Sequence, residues 1–264
     1  MKKTLGWLFA VIVLGVAGFS VYLWRQGPTY QPPPIAPAEP PAAAPAPPVA
    51  SAAPAIKYPV PEKAEKPLPA LAQSDPAALN ALTEVFGKKA RQFFQPEEVI
   101  RRVVVTIDNL PRKVVSAQLM PTKPIGGKLR TAGEGETLTM SPENFARYIP
   151  FIRLAEMVDA RTFVAAYTRL YPLFQQTYRD LGYPDGYFND RLVAVIDHLL
   201  DAPQSEGPIA LVQPHVFYKF ADPALESLSA GHKLMLRIGN DNAARIKKKL
   251  REIRKELVSI PPSG

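Results

Sequence analysis

At 264 residues with 30 prolines and no cysteine, the chain has room for one or two domains. It excludes a disulfide framework, a thiolate metal site, a cysteine nucleophile and a lipid-modified cysteine anchor. The net charge of +8 is unevenly spread: Lys2, Lys3 and Arg25 sit at the N-terminus, residues 27–70 balance three lysines with three glutamates, and Asn240 to Glu256 holds seven basic and three acidic side chains.

Residues 4–24, TLGWLFAVIVLGVAGFSVYLW, carry no charge, and 21 residues at about 1.5 Å each span the roughly 30 Å of bilayer hydrocarbon. The run is predicted to be a transmembrane anchor. Trp7, Tyr22 and Trp24 suit the interfacial belt, and Lys2 and Lys3 favour a cytoplasmic N-terminus, which places the rest of the chain in the periplasm of an inner-membrane protein. The competing reading is a cleaved signal peptide with Gly15-Val16-Ala17 at the cleavage site. The apolar run continues through Val21 and Leu23, longer than a signal core, and favours the anchor.

Half of the prolines fall between Gly27 and Pro69. Such a Pro/Ala-rich stretch buries too little apolar area to offset chain entropy and is predicted to be a disordered linker, reaching on the order of 130 Å if extended at about 3.1 Å per residue.

Beyond it the pattern becomes helical. Ser74-Asp75-Pro76 is a helix start, followed by Leu79, Leu82, Val85 and Phe86 up to Gly87. Gln95-Pro96-Glu97-Glu98 opens a second helix, with Val99, Val103, Ile107 and Leu110 on one side, although three consecutive valines also suit a strand. From Pro111 to Met140 turn residues dominate, and KLRT and ETLTM read as one short β-hairpin, the only sheet expected. Ser141-Pro142-Glu143 restarts a helix that breaks near Pro150 and ends about Val158. A long helix from Asp159 sets Phe163, Tyr167, Leu170, Phe174, Tyr178 and Leu181 along one face and stops at Gly182, with Pro172 kinking or dividing it. After the turn at Pro184-Asp185-Gly186 another helix buries Phe188, Leu192, Val195, Ile196 and Leu199. GPIALVQPHVFYKFADP reads as a loop crossing back over the core. Asp222-Pro223 and Ser229 cap short helices, and a basic helix from Asn240 with the stripe Ala243, Ile246, Leu250, Ile253 and Leu257 closes the chain.

The expected fold is therefore mainly α. It is an irregular multi-helix globular domain over residues 71–258 with one short β-hairpin, preceded by an anchor (1–26) and a linker (27–70) and followed by a disordered tail (259–264). His198, His215 and His232 fall on different elements without metal-ligand spacing, and no nucleophile elbow, phosphate-cradling loop, HExxH or calcium loop occurs, so neither cofactor nor metal is expected.

The densest polar constellation is YPDGYFNDR, giving Tyr183, Asp185, Tyr187, Asn189, Asp190 and Arg191 as candidate binding residues facing outward. Asp190, Asp197 and Asp201 share a helix face, and carboxylates beside tyrosines suit a sugar, a cation or a basic peptide, or acid-base hydrolysis of glycan or peptide through Asp185, Asp190 and Asp197. The plainer reading, to which the residues lean, is a turn and a helix N-terminus. Arg101 and Arg102, with Asp108 and Asn109 on or at the end of the same helix, form a second candidate, suited to an anionic ligand or, the plainer reading, an internal ion pair with one of the domain's acids. The charges of the basic terminal helix suit nucleic acid or anionic lipid, but its plain reading is a solvated face, ahead of contact with an acidic envelope partner or docking on the domain's own Asp190 and Asp197. Nucleic acid is disfavoured because stacking aromatics are absent there and the domain is expected outside the cytoplasm.

IRRVVVTIDNLP at 100–111, SPENFARYIPF at 141–151, YPLFQQTYRDLGYPDGYFNDRLVAVIDHLL at 171–200 and GPIALVQPHVFYKFADPALESLSAGHKLMLRIG at 207–239 resemble domain-of-unknown-function family 3014 of Gram-negative bacteria. The resemblance covers about residues 71–257. It implies a membrane-anchored protein without an assigned activity, so no catalytic residue is carried over. A tethered envelope module binding a protein or cell-wall partner is the leading expectation, and an envelope hydrolase the alternative.

Overall fold

In this computed structural model, residues 55–61 and 67–261 are described. The predicted span at 4–24, most of the predicted linker and the last three residues of the tail lie outside them. Among the described residues no helix is long and apolar enough to cross a membrane.

The helices are α1 (Asp75–Phe86), α2 (Val99–Asn109), α3 (Glu143–Glu156), α4 (Ala160–Asp180), α5 (Phe188–Leu200), α6 (Pro223–Ser227), α7 (Ala230–Ile238) and α8 (Asn240–Val258). The strands are β1 (Thr131–Ala132), β2 (Thr139–Met140), β3 (Leu211–Val212) and β4 (Lys219–Phe220). The domain is mainly helical, as its periodicity predicts. α8 lies against α3, α4, α5 and α7 and so joins the layers. One core gathers α1, α2, α4 and α5 around Val104, Tyr171, Phe174 and Phe188, with Leu257 of α8 and Val60 from the segment before α1. A second unites Met140, Ile209, Leu211, Phe220 and Leu236.

Several local expectations change. GPIALVQPHVFYKFADP is not a plain loop: β3 and β4 pair as a second antiparallel hairpin, with Leu211 opposite Phe220. Met140 donates its backbone N–H to Ile209 (2.8 Å) and Leu211 to Leu138 (2.8 Å), so the expected hairpin and this one join edge to edge. Gly207-Pro208 and Asp222-Pro223 at its ends, with Pro214 between, conceal a four-residue pairing too short for an alternating pattern. Neither Pro150 nor Pro172 divides its helix; α3 and α4 run through them. Pro150 is exposed, so water can satisfy the carbonyl it frees, and packing of the apolar faces outweighs the local penalty.

Ser74 does not cap α1; its hydroxyl donates to the Leu71 carbonyl (2.7 Å). Asp75 instead caps the next helix. Its carboxylate accepts the backbone N–H of Glu98 (2.9 Å) and Val99 (2.8 Å), holding Glu98 in the left-handed region at φ 51°. The predicted caps Asp222 and Ser229 accept the backbone N–H of Ala224 and His232, and Asp159, at the expected start of the long helix, accepts that of Thr162.

Candidate functional site

The turn between α4 and α5 is built from within. Buried Gln175 accepts the Tyr171 hydroxyl and the Phe188 N–H (both 2.8 Å) and donates to the Gly186 carbonyl (2.7 Å). Tyr178 and Tyr183 stack with centroids 4.5 Å apart, and a Cβ at Gly186 would lie 2.7 Å from the Tyr178 ring. Burial raises the phenol pKa of Tyr167, Tyr171 and Tyr178, and the protonated Tyr167 and Tyr171 hydroxyls donate to Asn189 and Gln175.

The expectation that this rim faces outward is corrected, because most of its polar groups are spent on the protein itself. Residues 57–60, assigned above to the linker, lie across the start of α5. Asp190 accepts the backbone N–H of Lys57 (2.9 Å) and Tyr58 (2.8 Å). Tyr187 accepts from the Val60 N–H (2.5 Å) and donates to the Val60 carbonyl (2.9 Å). Asn189, fully buried, donates to the Tyr58 carbonyl (2.9 Å) and accepts the Tyr167 hydroxyl (3.2 Å). The signal for this strap was Tyr58-Pro59-Val60, an aromatic and a β-branched residue at the end of an otherwise Pro/Ala-rich stretch. Of the six candidate residues at this turn, only Asp185 is exposed.

Asp108 is the hub of a second network. It is 5 % exposed and accepts Arg191 Nε (3.0 Å), Arg112 Nη2 (2.7 Å) and the Tyr183 hydroxyl (3.1 Å), while its carbonyl accepts Arg191 Nη2 (2.7 Å). The Asp108 carboxylate beside Arg112 raises that guanidinium's pKa, with Tyr183 adding to it. Asp108 therefore pairs with Arg112 and Arg191 rather than with Arg101 or Arg102. Arg101 ion-pairs with Glu98 (2.8 Å) on the surface. Arg102 donates to the carbonyls of Glu97 (2.9 Å) and Gln118, clamping the loop after α2.

The three carboxylates proposed for hydrolysis do not converge. Asp197 forms a two-pronged ion pair with Arg254 of α8 (2.5 and 2.9 Å), Asp190 holds the strap and Asp185 stands in solvent. Asp197 is thus where the basic terminal helix meets the acidic face, and Asp190 is not. An arrangement without two facing carboxylates offers no acid-base pair, which removes the hydrolytic alternative.

A candidate ligand-sized groove lies elsewhere. A groove of about 910 Å³ runs between β2, α3, residues 205–209 and the α7–α8 elbow. Its walls include Met140, Phe145, Ile149, Ile209 and Ile238, and its rim carries Thr139, Asn240, Asp241 and Arg245. The elbow is held rigidly. Gly239 sits at φ 84°, and a Cβ there would meet the Phe145 ring at 2.7 Å. Buried Asn242 donates to the carbonyls of Phe145 (3.1 Å) and Ile238 (2.9 Å), and Arg245 grips Glu156 through two bonds. Asn240 exchanges hydrogen bonds with the backbone of Ser205 (2.7 and 3.1 Å), fixing the opposite wall. Gly239-Asn240 was legible as a helix junction, but nothing local signals that α3 lies against it.

His198 and His232 come together as well. Their rings stack 4.0 Å apart at 8°, His198 Nε2 lies 2.7 Å from Ser229 Oγ, and His232 Nε2 lies 2.6 Å from the His198 carbonyl. Burial, followed by the neighbouring His232, lowers the His198 pKa. Among the described residues no group of three or more histidine, cysteine or acidic side chains is placed to hold a metal ion.

The family described as "Protein of unknown function (DUF3014)" matches residues 99–254, more than half of the chain, and the chain belongs to that family. No curated protein and no solved structure matches it.

Proposed function

We propose that this member of the DUF3014 family is a tethered binding module of the bacterial cell envelope, and that its ligand-binding surface is the groove between β2, α3 and the α7–α8 elbow. The observation that carries this reading is the groove itself. At about 910 Å³ it lies within the range of ligand-binding clefts, has an apolar floor with a few polar groups on the rim, and is stiffened by Asn240, Asn242 and the Arg245–Glu156 pair. The tether is argued from the uncharged run at 4–24 and the Pro/Ala-rich stretch after it, since a spacer on an anchor raises the local concentration of a binder. The partner is a protein or cell-wall component of the periplasm.

A photo-crosslinking residue at Ala146 or Ile149 of the full chain, in living cells, tests this. Adducts above those of an anchor-only control are expected, and they should be lost when the groove is filled by Gly207→Phe, at a lining position where an added Cβ meets nothing within 4 Å. Absence of adducts at both positions would refute the groove as the binding surface.

A further inference from the structure

Large apolar side chains are concentrated at the tip of the β3–β4 hairpin. Val216 is 78 %, Phe217 80 % and Val212 44 % exposed, whereas Leu211 and Phe220 at its base are buried in the second core. Nothing about the base is loose. Phe220 donates its N–H to Glu226 (3.1 Å), the Arg237 guanidinium lies 5.5 Å from the centroid of the Phe220 ring, and the hairpin is bonded to β2. A rigid base thus holds out a hydrophobic tip, and water-facing Val-Phe pairs of this exposure mark contact sites.

The chemistry of the tip selects among partners. Residues 207–221 contain no acidic side chain, while His215 and Lys219 flank Val216 and Phe217, both exposed, with Tyr218 half-buried beside them. Apolar side chains flanked by a tyrosine and the Lys219 ammonium, with no carboxylate nearby in the sequence, match the boundary between acyl chains and anionic headgroups. We infer that the β3–β4 tip is a lipid-contacting element that dips Val216 and Phe217 into the interface of an anionic bilayer. The inference rests on the tether reading, because one Val-Phe pair partitions only weakly. A second, weak membrane contact gains its effect from an anchor that keeps the bilayer within reach. The tip then docks the domain reversibly against the membrane.

The absence of native cysteine makes the test direct. The full chain with His215→Cys, labelled with an environment-sensitive fluorophore, is reconstituted in phosphatidylethanolamine–phosphatidylglycerol vesicles carrying a nitroxide-lipid quencher. Ala165→Cys, exposed on α4, is the control. A blue shift and quenching at position 215 but not 165 are expected, and adding Val216→Asp and Phe217→Asp should lower the inserted fraction roughly tenfold or more. Circular dichroism verifies that this variant is folded. A label at 215 as water-exposed as that at 165, or one indifferent to the aspartates, overturns the inference. So does a shift that requires added envelope protein, which would assign the tip to a protein partner. A carbonate wash separates the two readings. If the chain stays on the vesicles while the tip label stays wet, only the tip proposal fails; if the wash strips the chain, the tether reading fails and takes the tip proposal with it.

Discussion

Replacing Asp108 by Ala removes the acceptor at the centre of the network joining α2 to α5 and the α4–α5 turn. The Arg191 side chain, 28 % exposed, loses its partner at 3.0 Å, and the Arg191 guanidinium remains with only the Asp108 carbonyl. A hydrogen bond to a charged, largely buried group contributes about 1.5–3 kcal/mol, and the Tyr183 hydroxyl adds about 1 kcal/mol. Arg112 is 53 % exposed, so its ion pair adds well under about 1 kcal/mol. The expected loss is about 3–4 kcal/mol, or a fall in Tm on the order of 10 °C for a domain of this size. Urea denaturation with thermal unfolding measures it. Asp108→Asn, which keeps an acceptor in place, should lose about half as much. A double-mutant cycle with Arg191→Met should show coupling above about 1 kcal/mol. A Tm for Asp108→Ala within about 2 °C of the parent, or additive effects in the cycle, would show that these residues are not a structural unit and return Tyr183 and Arg191 to the ligand reading.

Other perturbations follow from the same contacts. Asp75→Ala should cost about 1–2 kcal/mol by uncapping α2, with Asp75→Asn, whose single amide oxygen accepts only one of the two N–H groups, restoring about half of it in the same denaturation assay. Gly239→Ala combines a left-handed φ with a collision against Phe145 and should cost about 3 kcal/mol or more; Phe145→Leu in the same chain should recover part of that loss. Asn189→Ala combined with Asp190→Ala, which removes three of the bonds to the strap, should release its start, read as faster tryptic cleavage after Lys57 with the rest of the domain still resistant. For pH, folded His198 holds its proton less tightly than in the unfolded chain, so the unfolded state binds more protons. Stability should be complete above about pH 6.5 and fall as pH drops below it, and His198→Gln should flatten that slope. At lower pH a separate decline should follow from Glu84, Glu156, Asp159 and Glu226, whose folded pKa values lie below their ordinary ones.

What the sequence by itself determined were features written in a local code. The 3.6-residue period of α4, α5 and α8 set their buried faces, the caps Asp159, Asp222 and Ser229 each act within three residues of their own position, and Gly182 ends α4 where a left-handed residue must. These hold because a helix satisfies its backbone within one turn. Tertiary structure decided the partner of every polar group whose bond spans the chain. Asp190 belongs to Tyr58, 132 residues away, Asp108 to Arg191, 83 away, and Asn242 to Phe145, 97 away. A carboxylate beside tyrosines reads the same whether it awaits a ligand or a passing backbone N–H, so the 183–191 stretch resembled a site until the strap lay across it. The groove was equally illegible, because it is a space between α3 and the α7–α8 elbow. Its shape depends on how closely Gly239 lets those elements approach, a distance that no run of residues encodes.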